Sequence, residues 1–249
     1  MTILVTNDDG INSEGIRVLA DAMGEIGEVF VVAPDRQRSA VGLSITLDQP
    51  LRVDRLSDRK FSVNGMPTDC VELAIHKLMK TPPDLVVSGI NDGQNLGYDI
   101  YHSGTVGAAI TGTMFSIPSI AISIALSDEF HNKIWYETAA NIATKVAKSV
   151  IENTIPYGTL LNVNVPNLPI LEIKGIEITR HCNATYDIEI HNRKDPRGKE
   201  YFWVGGVFQI CGDHTNTDLE ALSNNKVSIT PLHLDLTDYD MMKKMSNWF

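Results

Sequence analysis

The apolar positions in the first half of the chain follow two alternating periods. Short runs rich in Val, Ile and Leu have the length of strands, and the stretches between them show helical spacing. The strand-like runs cover residues 3–6, 29–33, 85–88 and 119–124. The helical stretches cover residues 16–23, residues 69–79 with Thr68 as the predicted N-cap, and a segment from about residue 103. This rhythm predicts an α/β fold with a Rossmann-like open, mostly parallel sheet and helices on both faces.

The segments outside this rhythm predict additions to the core. Residues 44–63 alternate around polar turns, which predicts a short antiparallel insertion. A helix at residues 133–153 precedes a strand at residues 160–165. Residues 175–207 form extended segments around a polar turn at residues 193–198, which predicts a projecting β-hairpin arm.

The chain ends in a short helix at residues 238–249 that is rich in Met and aromatic residues. A terminal apolar helix needs a surface to cover, so it either packs back or docks on a second subunit. We therefore expect a core at residues 1–170. Residues 171–249 would supply the arm, a return strand to the core and a C-terminal helix for oligomerisation and subunit exchange.

Composition narrows the class of protein. A chain of 249 residues is long enough for one large domain, and 21 basic against 31 acidic residues give a net charge of −10, which argues against binding to duplex nucleic acid. Three widely spaced cysteines do not make a disulfide scaffold, and the apolar stretch at residues 117–126 is too short for a membrane span. We expect a cytoplasmic protein with no membrane partner.

Four polar loops stand out, of which three follow the first three predicted parallel strands and the fourth opens the helix before the fourth strand. Ligands of open α/β sheets bind beyond the carboxyl ends of the strands, so these loops are expected to meet at one edge. Asp8 and Asp9 follow the first strand, and adjacent carboxylates repel each other unless a cation lies between them. The alternative is that Asn-Asp-Asp-Gly only makes a turn.

The other three loops offer neutral oxygens and phosphate donors. Ser39 stands beside two arginines, and Asn91 and Asn95 lie in a long loop after the third strand. Ser103, Gly104 and Thr105 open a helix, whose first N–H groups can hold a phosphate, although Ser103 also suits an ordinary N-cap. The four loops together predict a metal-dependent phosphate site.

Several other chemistries fit the sequence less well. A haloacid-dehalogenase-like phosphatase needs Asp-x-Asp, whereas Asp8 and Asp9 are adjacent, and the glycine motifs of dinucleotide-binding and P-loop proteins do not occur. A zinc site would need the unusual set His181, Cys182, Cys211 and His214. His102, next to Ser103, is the histidine placed to assist a leaving group.

Five segments in order resemble the SurE family of survival-protein nucleotidases. They are TNDDGI at residues 6–11, VAPDRQRS at 32–39, GMPTDCV at 65–71, VSGINDGQNLG at 87–97 and SGTV at 103–106. The resemblance runs from residue 1 to about residue 231 and is weaker over the arm and the last helix. The chain differs from the family at residues 181–186, where HCNATY replaces a run of basic residues, and at Asn216, where the family has glycine.

The resemblance implies a site and an activity. Matched by position, the family's divalent-metal ligands fall on Asp8, Asp9, Ser39 and Asn91, and its phosphate-binding residues on Asn95, Ser103, Gly104 and Thr105. It implies a 5′-nucleotidase that hydrolyses nucleoside 5′- and 3′-monophosphates with one Mg²⁺ or Mn²⁺ per subunit, as a homodimer or homotetramer. Some members also trim short polyphosphate.

The mechanism that we expect assigns catalysis to Asp8, Asp9 and Asn95. The cation would bind a phosphate oxygen and activate a water, and Asn95, Ser103, Thr105 and helix N–H groups would meet the charge that develops on the phosphoryl group. The alternative is a non-catalytic nucleotide sensor that uses the same pocket and releases its ligand unchanged.

Overall fold

The computed structural model describes residues 1–126, 133–210 and 212–248. Within these residues, nine strands form one sheet in the order β3-β4-β2-β1-β5-β6-β7-β11-β8, and two more form a hairpin. The strands are β1 (Thr2–Thr6), β2 (Glu28–Pro34), β3 (Val53–Ser57), β4 (Lys60–Val63), β5 (Leu85–Asp92), β6 (Ser119–Ala125), β7 (Thr159–Pro166), β8 (Ile176–Ile178), β9 (Ala184–Lys194), β10 (Glu200–Ile210) and β11 (Val227–His233). The α-helices are α1 (Glu14–Met23), α2 (Pro67–Leu73), α3 (Gly104–Met114), α4 (Tyr136–Glu152), α5 (Asp218–Ser223) and α6 (Tyr239–Met245).

The predicted α/β class is confirmed. β1 lies between β2 and β5 and is parallel to both, and the parallel pairing continues from β5 through β6 to β7. The insertion at residues 44–63 contains the predicted antiparallel pair, β3 with β4. The carboxyl ends of β1, β2, β5 and β6 therefore lie along one edge. Three of the polar loops start at the ends of β1, β2 and β5, and the fourth opens α3.

Helices cover both faces of the sheet because the central strands are apolar on both sides. Ile3 and Val5 of β1 join the buried cluster with α1 and α4, whereas Leu4 joins the cluster with α2 and α3. This alternation follows from the two-residue period of a strand. It places α3 directly over β5 and β6, and so sets the start of α3 beside the loop that follows β1.

Two local predictions need correction. Thr68 is not an N-cap, because α2 begins at Pro67 and its cap is Met66, whose N–H donates to the Asp69 carboxylate at 2.7 Å. Proline suits the first turn of a helix since its missing N–H would have no partner there. The Thr68 hydroxyl instead donates to the carbonyl oxygen of Ser44. The predicted third strand is also longer than its apolar run, because β5 continues to Asp92.

The second half contains the predicted arm. β9 and β10 pair antiparallel from Ala184 with Ile210 to Lys194 with Glu200. β11 returns to the sheet, antiparallel to β7.

None of the α6 residues is buried. No helix in the described part of the chain is long and apolar enough to cross a bilayer. The division at residue 170 and the role of α6 between subunits stay predictions.

Candidate phosphate and cation site

Asp8 connects two of the four loops. Its carboxylate accepts a 2.5 Å hydrogen bond from the Thr105 hydroxyl, and backbone N–H groups of Gly104 and Thr105 also bond to it. A Cβ at Gly104 would come within 2.8 Å of the Asp8 Cβ, so only glycine allows this approach of helix and carboxylate. The start of α3 is thus joined to the loop that follows β1.

The loop after β2 reaches the same residue from the backbone side. The Arg38 N–H donates to the Asp8 carbonyl oxygen at 2.6 Å, which brings the neighbouring Ser39 to this edge. Ser39 is exposed, and its hydroxyl accepts from the Gln37 amide at 2.9 Å. The Arg38 guanidinium donates to the Asn64 carbonyl, and its buried Nε–H has no partner in the described structure.

Asp9 connects to the end of β5. The Asp92 N–H donates to the Asp9 carboxylate at 3.3 Å, so Asn91, the residue before Asp92, lies near this carboxylate. The Asn91 amide nitrogen donates to the Gly93 carbonyl at 2.8 Å, so the amide oxygen is the atom with which Asn91 would bind a cation. The Tyr136 hydroxyl of α4 donates to Asp92 at 2.5 Å and closes this side.

Asn7 supports the two carboxylates by making the turn between them and α1. Its side chain accepts from the Gly10 N–H and donates to the Gly10 carbonyl, both at 3.1 Å, and also donates to Ser13 at 2.8 Å. The Asn-Asp-Asp-Gly turn, which was the alternative interpretation of this loop, is therefore present. The turn holds the Asp8 and Asp9 carboxylates in place, so it is compatible with a role for them in binding a cation.

The carboxylates are electrostatically strained without a cation. Burial and then the charges of Asp8 and Asp92 raise the pKa of Asp9 to about 6. Burial also raises the pKa of Asp8, although the hydrogen bonds from Thr105 and Gly104 oppose this shift. No Lys, Arg or His side chain in the described ranges forms an ion pair with either carboxylate. Two close carboxylates with neutral oxygens beside them fit a hard divalent cation.

Asn95 occupies a different part of the edge. Its N–H donates to Asn164 at 2.8 Å, its carbonyl accepts from Asn162 and Asn164, and its side chain donates to Ser123 at 2.7 Å. These bonds fix Asn95 over the ends of β6 and β7, and none joins it to Asp8 or Asp9 in the residues described. The structure therefore links Asp8, Gly104 and Thr105 directly, and Ser39 and Asn91 through their neighbours, whereas Asn95 stands apart.

Ser103 is the N-cap of α3. Its oxygen accepts from the Val106 N–H at 3.1 Å, as the ordinary capping interpretation expects. The cap leaves the hydroxyl proton able to donate, so capping and phosphate binding are compatible. The helix is 11 residues long and mostly buried, which keeps its first N–H groups fixed at the edge.

Sequence reasoning missed Asp218 as an organising residue. This buried carboxylate accepts from the Gly97 N–H at 3.0 Å and the Cys182 N–H at 2.8 Å. It therefore ties the loop after β5 to the base of the arm. The only signal was Asp218 following a helix N-cap, Thr217, which does not indicate long-range partners.

The zinc alternative finds no support. In the portion that the structure describes, no three His, Cys, Asp or Glu side chains are grouped to hold a metal, and Cys211 lies outside it. Cys182 is buried, and burial raises the pKa of its thiol. The negative charge of Asp218 and a hydrogen bond to this residue raise the pKa further, to about 12. A thiol that resists ionisation is a poor metal ligand.

The fold and the site together define an open α/β protein with a carboxylate pair and a helix N-terminus at the carboxyl edge of its sheet. The model of the family described as Survival protein SurE matches residues 3–188. The chain belongs to the SurE family.

Individual relatives match over nearly the whole chain. A protein of Pelobacter propionicus named 5′-nucleotidase SurE is 48% identical over 248 residues, covering 100% of this chain and 99% of the relative. A protein of the same name from Moorella thermoacetica is 43% identical and covers 99% and 95%. The crystal structure of the SurE protein from Aquifex aeolicus superposes with a TM-score of 0.87 at 42% identity, covering 100% of this chain and 99% of that one.

Proposed function

We propose that this protein is a 5′-nucleotidase that hydrolyses nucleoside 5′- and 3′-monophosphates to nucleoside and phosphate. The carrying observation is the direct hydrogen bond between Asp8 and Thr105, which sets a buried carboxylate against the first turn of α3. A helix start favours an anionic phosphate, and a carboxylate there needs a cation to share the same space. The relatives named 5′-nucleotidase SurE support the 5′ activity.

In this proposal, Asp8, Asp9, Ser39 and Asn91 hold one Mg²⁺ or Mn²⁺ per subunit. When bound, the cation supplies Lewis-acid activation of the phosphate ester and of a water. Ser103 and Asn95 bind the phosphoryl oxygens and stabilise the charge that develops on them. The N–H groups of Gly104 and Thr105 bond to Asp8 in the structure, so they would bind the phosphate by exchanging this carboxylate for a phosphoryl oxygen. The rigid attachment of Asn95 to β6 and β7 lets it hold its position without reorganisation.

Further properties belong to the same proposal. The enzyme would work in the cytoplasm as a homodimer or homotetramer, with trimming of short polyphosphate as a side activity. A nucleotide sensor would need the same phosphate pocket, but it has no need for two strained carboxylates beside the ligand. Catalysis is therefore the function that we favour.

Phosphate release from a panel of nucleoside monophosphates, with Mg²⁺, Mn²⁺ or EDTA, tests the proposal. We expect chelation to abolish turnover and Asp8→Asn to lower kcat by about 100-fold or more, as the loss of a key electrostatic group does in other enzymes. The matched control is Asp48→Asn, the same change at an exposed position, which should leave kcat unchanged. Full activity in EDTA would refute the cation, and ligand binding without phosphate release would establish the sensor.

A further inference from the structure

Two buried hydroxyl groups beneath the proposed site have no hydrogen-bond partner among the described residues. They belong to Thr6, the last residue of β1, and to Ser88 of β5, and both residues are fully buried. A hydroxyl that has left water without gaining a partner costs folding free energy. The residues assigned to the cation and the phosphate do not explain why the chain keeps these two hydroxyls.

The two hydroxyls lie side by side on the face of the sheet that α3 covers. Thr6 and Ser88 are paired in the parallel register of β1 and β5, so their side chains point to the same face. Leu4 and Val86, two residues earlier on each strand, pack in one buried cluster with Ala108 of α3. Both hydroxyls therefore lie in the layer between the sheet and α3.

The course of α3 places Asp8 at the end of this layer. A Cβ at Gly112 would come within 2.8 Å of the Val86 side chain. A Cβ at Gly104 would come within 2.8 Å of the Asp8 Cβ. The helix therefore runs from the carboxyl edge back over β5, and the two hydroxyls lie between these contacts, on the side toward Asp8.

The hydrogen bonds of Asp8 conflict with the binding of a phosphate. Its carboxylate accepts from the Thr105 hydroxyl at 2.5 Å and from the N–H groups of Gly104 and Thr105. In the proposed function these N–H groups bind a phosphoryl oxygen instead. Asp8 is only 3% exposed, so the carboxylate oxygen that does not face the cation then needs other donors from within the protein.

We propose that Thr6 and Ser88 are positioning residues whose hydroxyls donate to Asp8 when this carboxylate turns from the start of α3 to a bound cation. This inference rests on the proposed function. The two hydroxyls would fix the orientation of the carboxylate, as partners of metal ligands do, and would free the first N–H groups of α3 for the substrate. The metal-free protein bears the cost of the unpaired hydroxyls because the loaded form uses them.

The first test measures cation affinity and metal-free stability in the double variant Thr6→Val, Ser88→Ala. Both changes remove a hydroxyl and leave the size of the side chain nearly unchanged. We expect calorimetry to show Mn²⁺ binding about 10-fold weaker than in the wild type, the usual effect of losing a partner of a metal ligand. In EDTA we expect the melting temperature to rise by about 2 °C, because two unpaired hydroxyls leave the core.

Two further variants serve as controls. Thr6→Ser keeps the hydroxyl and should bind Mn²⁺ within about 2-fold of the wild type. Thr113→Val removes a buried hydroxyl that already donates to the Ala109 carbonyl at 3.0 Å, near the far end of α3, and should leave Mn²⁺ affinity unchanged. Unchanged Mn²⁺ affinity in the double variant, as a water held between the hydroxyls would give, overturns the inference. A lower melting temperature in EDTA also overturns it, because the hydroxyls would then have partners without the cation.

The second test asks whether the hydroxyls act through Asp8. The double variant should lower kcat/KM for AMP about 10-fold in the wild-type background but less than about 2-fold in Asp8→Asn, since effects that pass through one residue are not additive. Equal losses in the two backgrounds would contradict the inference. A wild type that binds Mn²⁺ and hydrolyses AMP, with a double variant that behaves identically, would refute this inference alone. A wild type that binds no Mn²⁺ would refute the proposed cation as well.

Discussion

At the scale of single residues, the site combines groups that are unfavourable together in the absence of a cation. Asp9 is near two other carboxylates, Asp8 and Asp92, and its pKa is raised to about 6, mainly by burial. Proteins retain such strain at functional sites because the ligand relieves it. Removing one of these charges should therefore improve the stability of the metal-free protein while it damages activity.

The variant Asp9→Asn tests whether this charge lowers the stability of the metal-free protein. The carboxyl pKa is about 6 in the folded protein and about 4 in the unfolded chain. Because the folded pKa is the higher one, ionisation of Asp9 lowers the stability of the wild type as pH rises from about 4 to about 6. In EDTA at pH 7.5 we expect Asp9→Asn to be more stable by about 1 kcal/mol, after discounting for partial exposure.

Urea unfolding at pH 7.5 and pH 4 measures the effect. The gain of Asp9→Asn should be present at pH 7.5 and nearly vanish at pH 4, where the wild-type carboxyl is protonated in the folded state and about half protonated in the unfolded chain. Asp48→Asn, an exposed change of the same kind, should show no gain at either pH. An Asp9→Asn protein that is less stable than the wild type at pH 7.5 in EDTA would contradict the interpretation of strain.

At the scale of elements, one buried carboxylate joins two segments that are distant in sequence. Asp218, at the start of α5, bonds to Gly97 in the loop after β5 and to Cys182 at the base of the arm. These bonds are buried, so losing the acceptor would leave two N–H groups without partners. Asp218 therefore determines where the loop between Asn95 and Ser103 lies.

We expect Asp218→Ala to lower the free energy of unfolding by about 3 kcal/mol, because two buried donors lose a charged acceptor. Urea unfolding in EDTA measures the loss without interference from ligands. Asp213→Ala, an exposed acidic residue in the preceding turn, is the matched control and should cost well under that amount. Equal stability of the two variants would mean that Asp218 does not join the segments in solution.

Elements were easier to predict from the sequence than their contacts. β1, β2, β5 and β6 and the start of α3 followed from periodicity and capping, because these signals are local. The rule that parallel strands end at one edge predicted that the loops of Asp8 and Thr105 lie at the same edge, but not the hydrogen bond between the two side chains. The partners of Asn95 and Asp218 did not follow, since those that hold the loop after β5 lie 28 to 121 residues away and depend on tertiary packing.

At the scale of the whole molecule, the second half of the chain leaves much apolar surface uncovered. The arm exposes Ile188, Phe202, Trp203 and Val204, and the C-terminal segment exposes Leu236, Tyr239, Met242 and Trp248. Uncovered apolar surface of this extent is typical of a subunit interface. It supports the prediction that the protein works as a homodimer or homotetramer whose C-terminal elements exchange between subunits.

Removal of residues 237–249 tests whether the C-terminal segment holds subunits together. The deleted residues include α6, which has no buried residue within its own chain, so the core should remain folded. We expect the molar mass from light scattering to shift toward that of a monomer, because the apolar contacts supplied by Met242 and Trp248 are lost. A gentler variant, Met242→Ser with Trp248→Ser, should shift it in the same direction, whereas Tyr157→Ser at an exposed site should not. An oligomer of undiminished mass after the deletion would place the interface elsewhere, and the exposed strands of the arm would then be the surface to mutate.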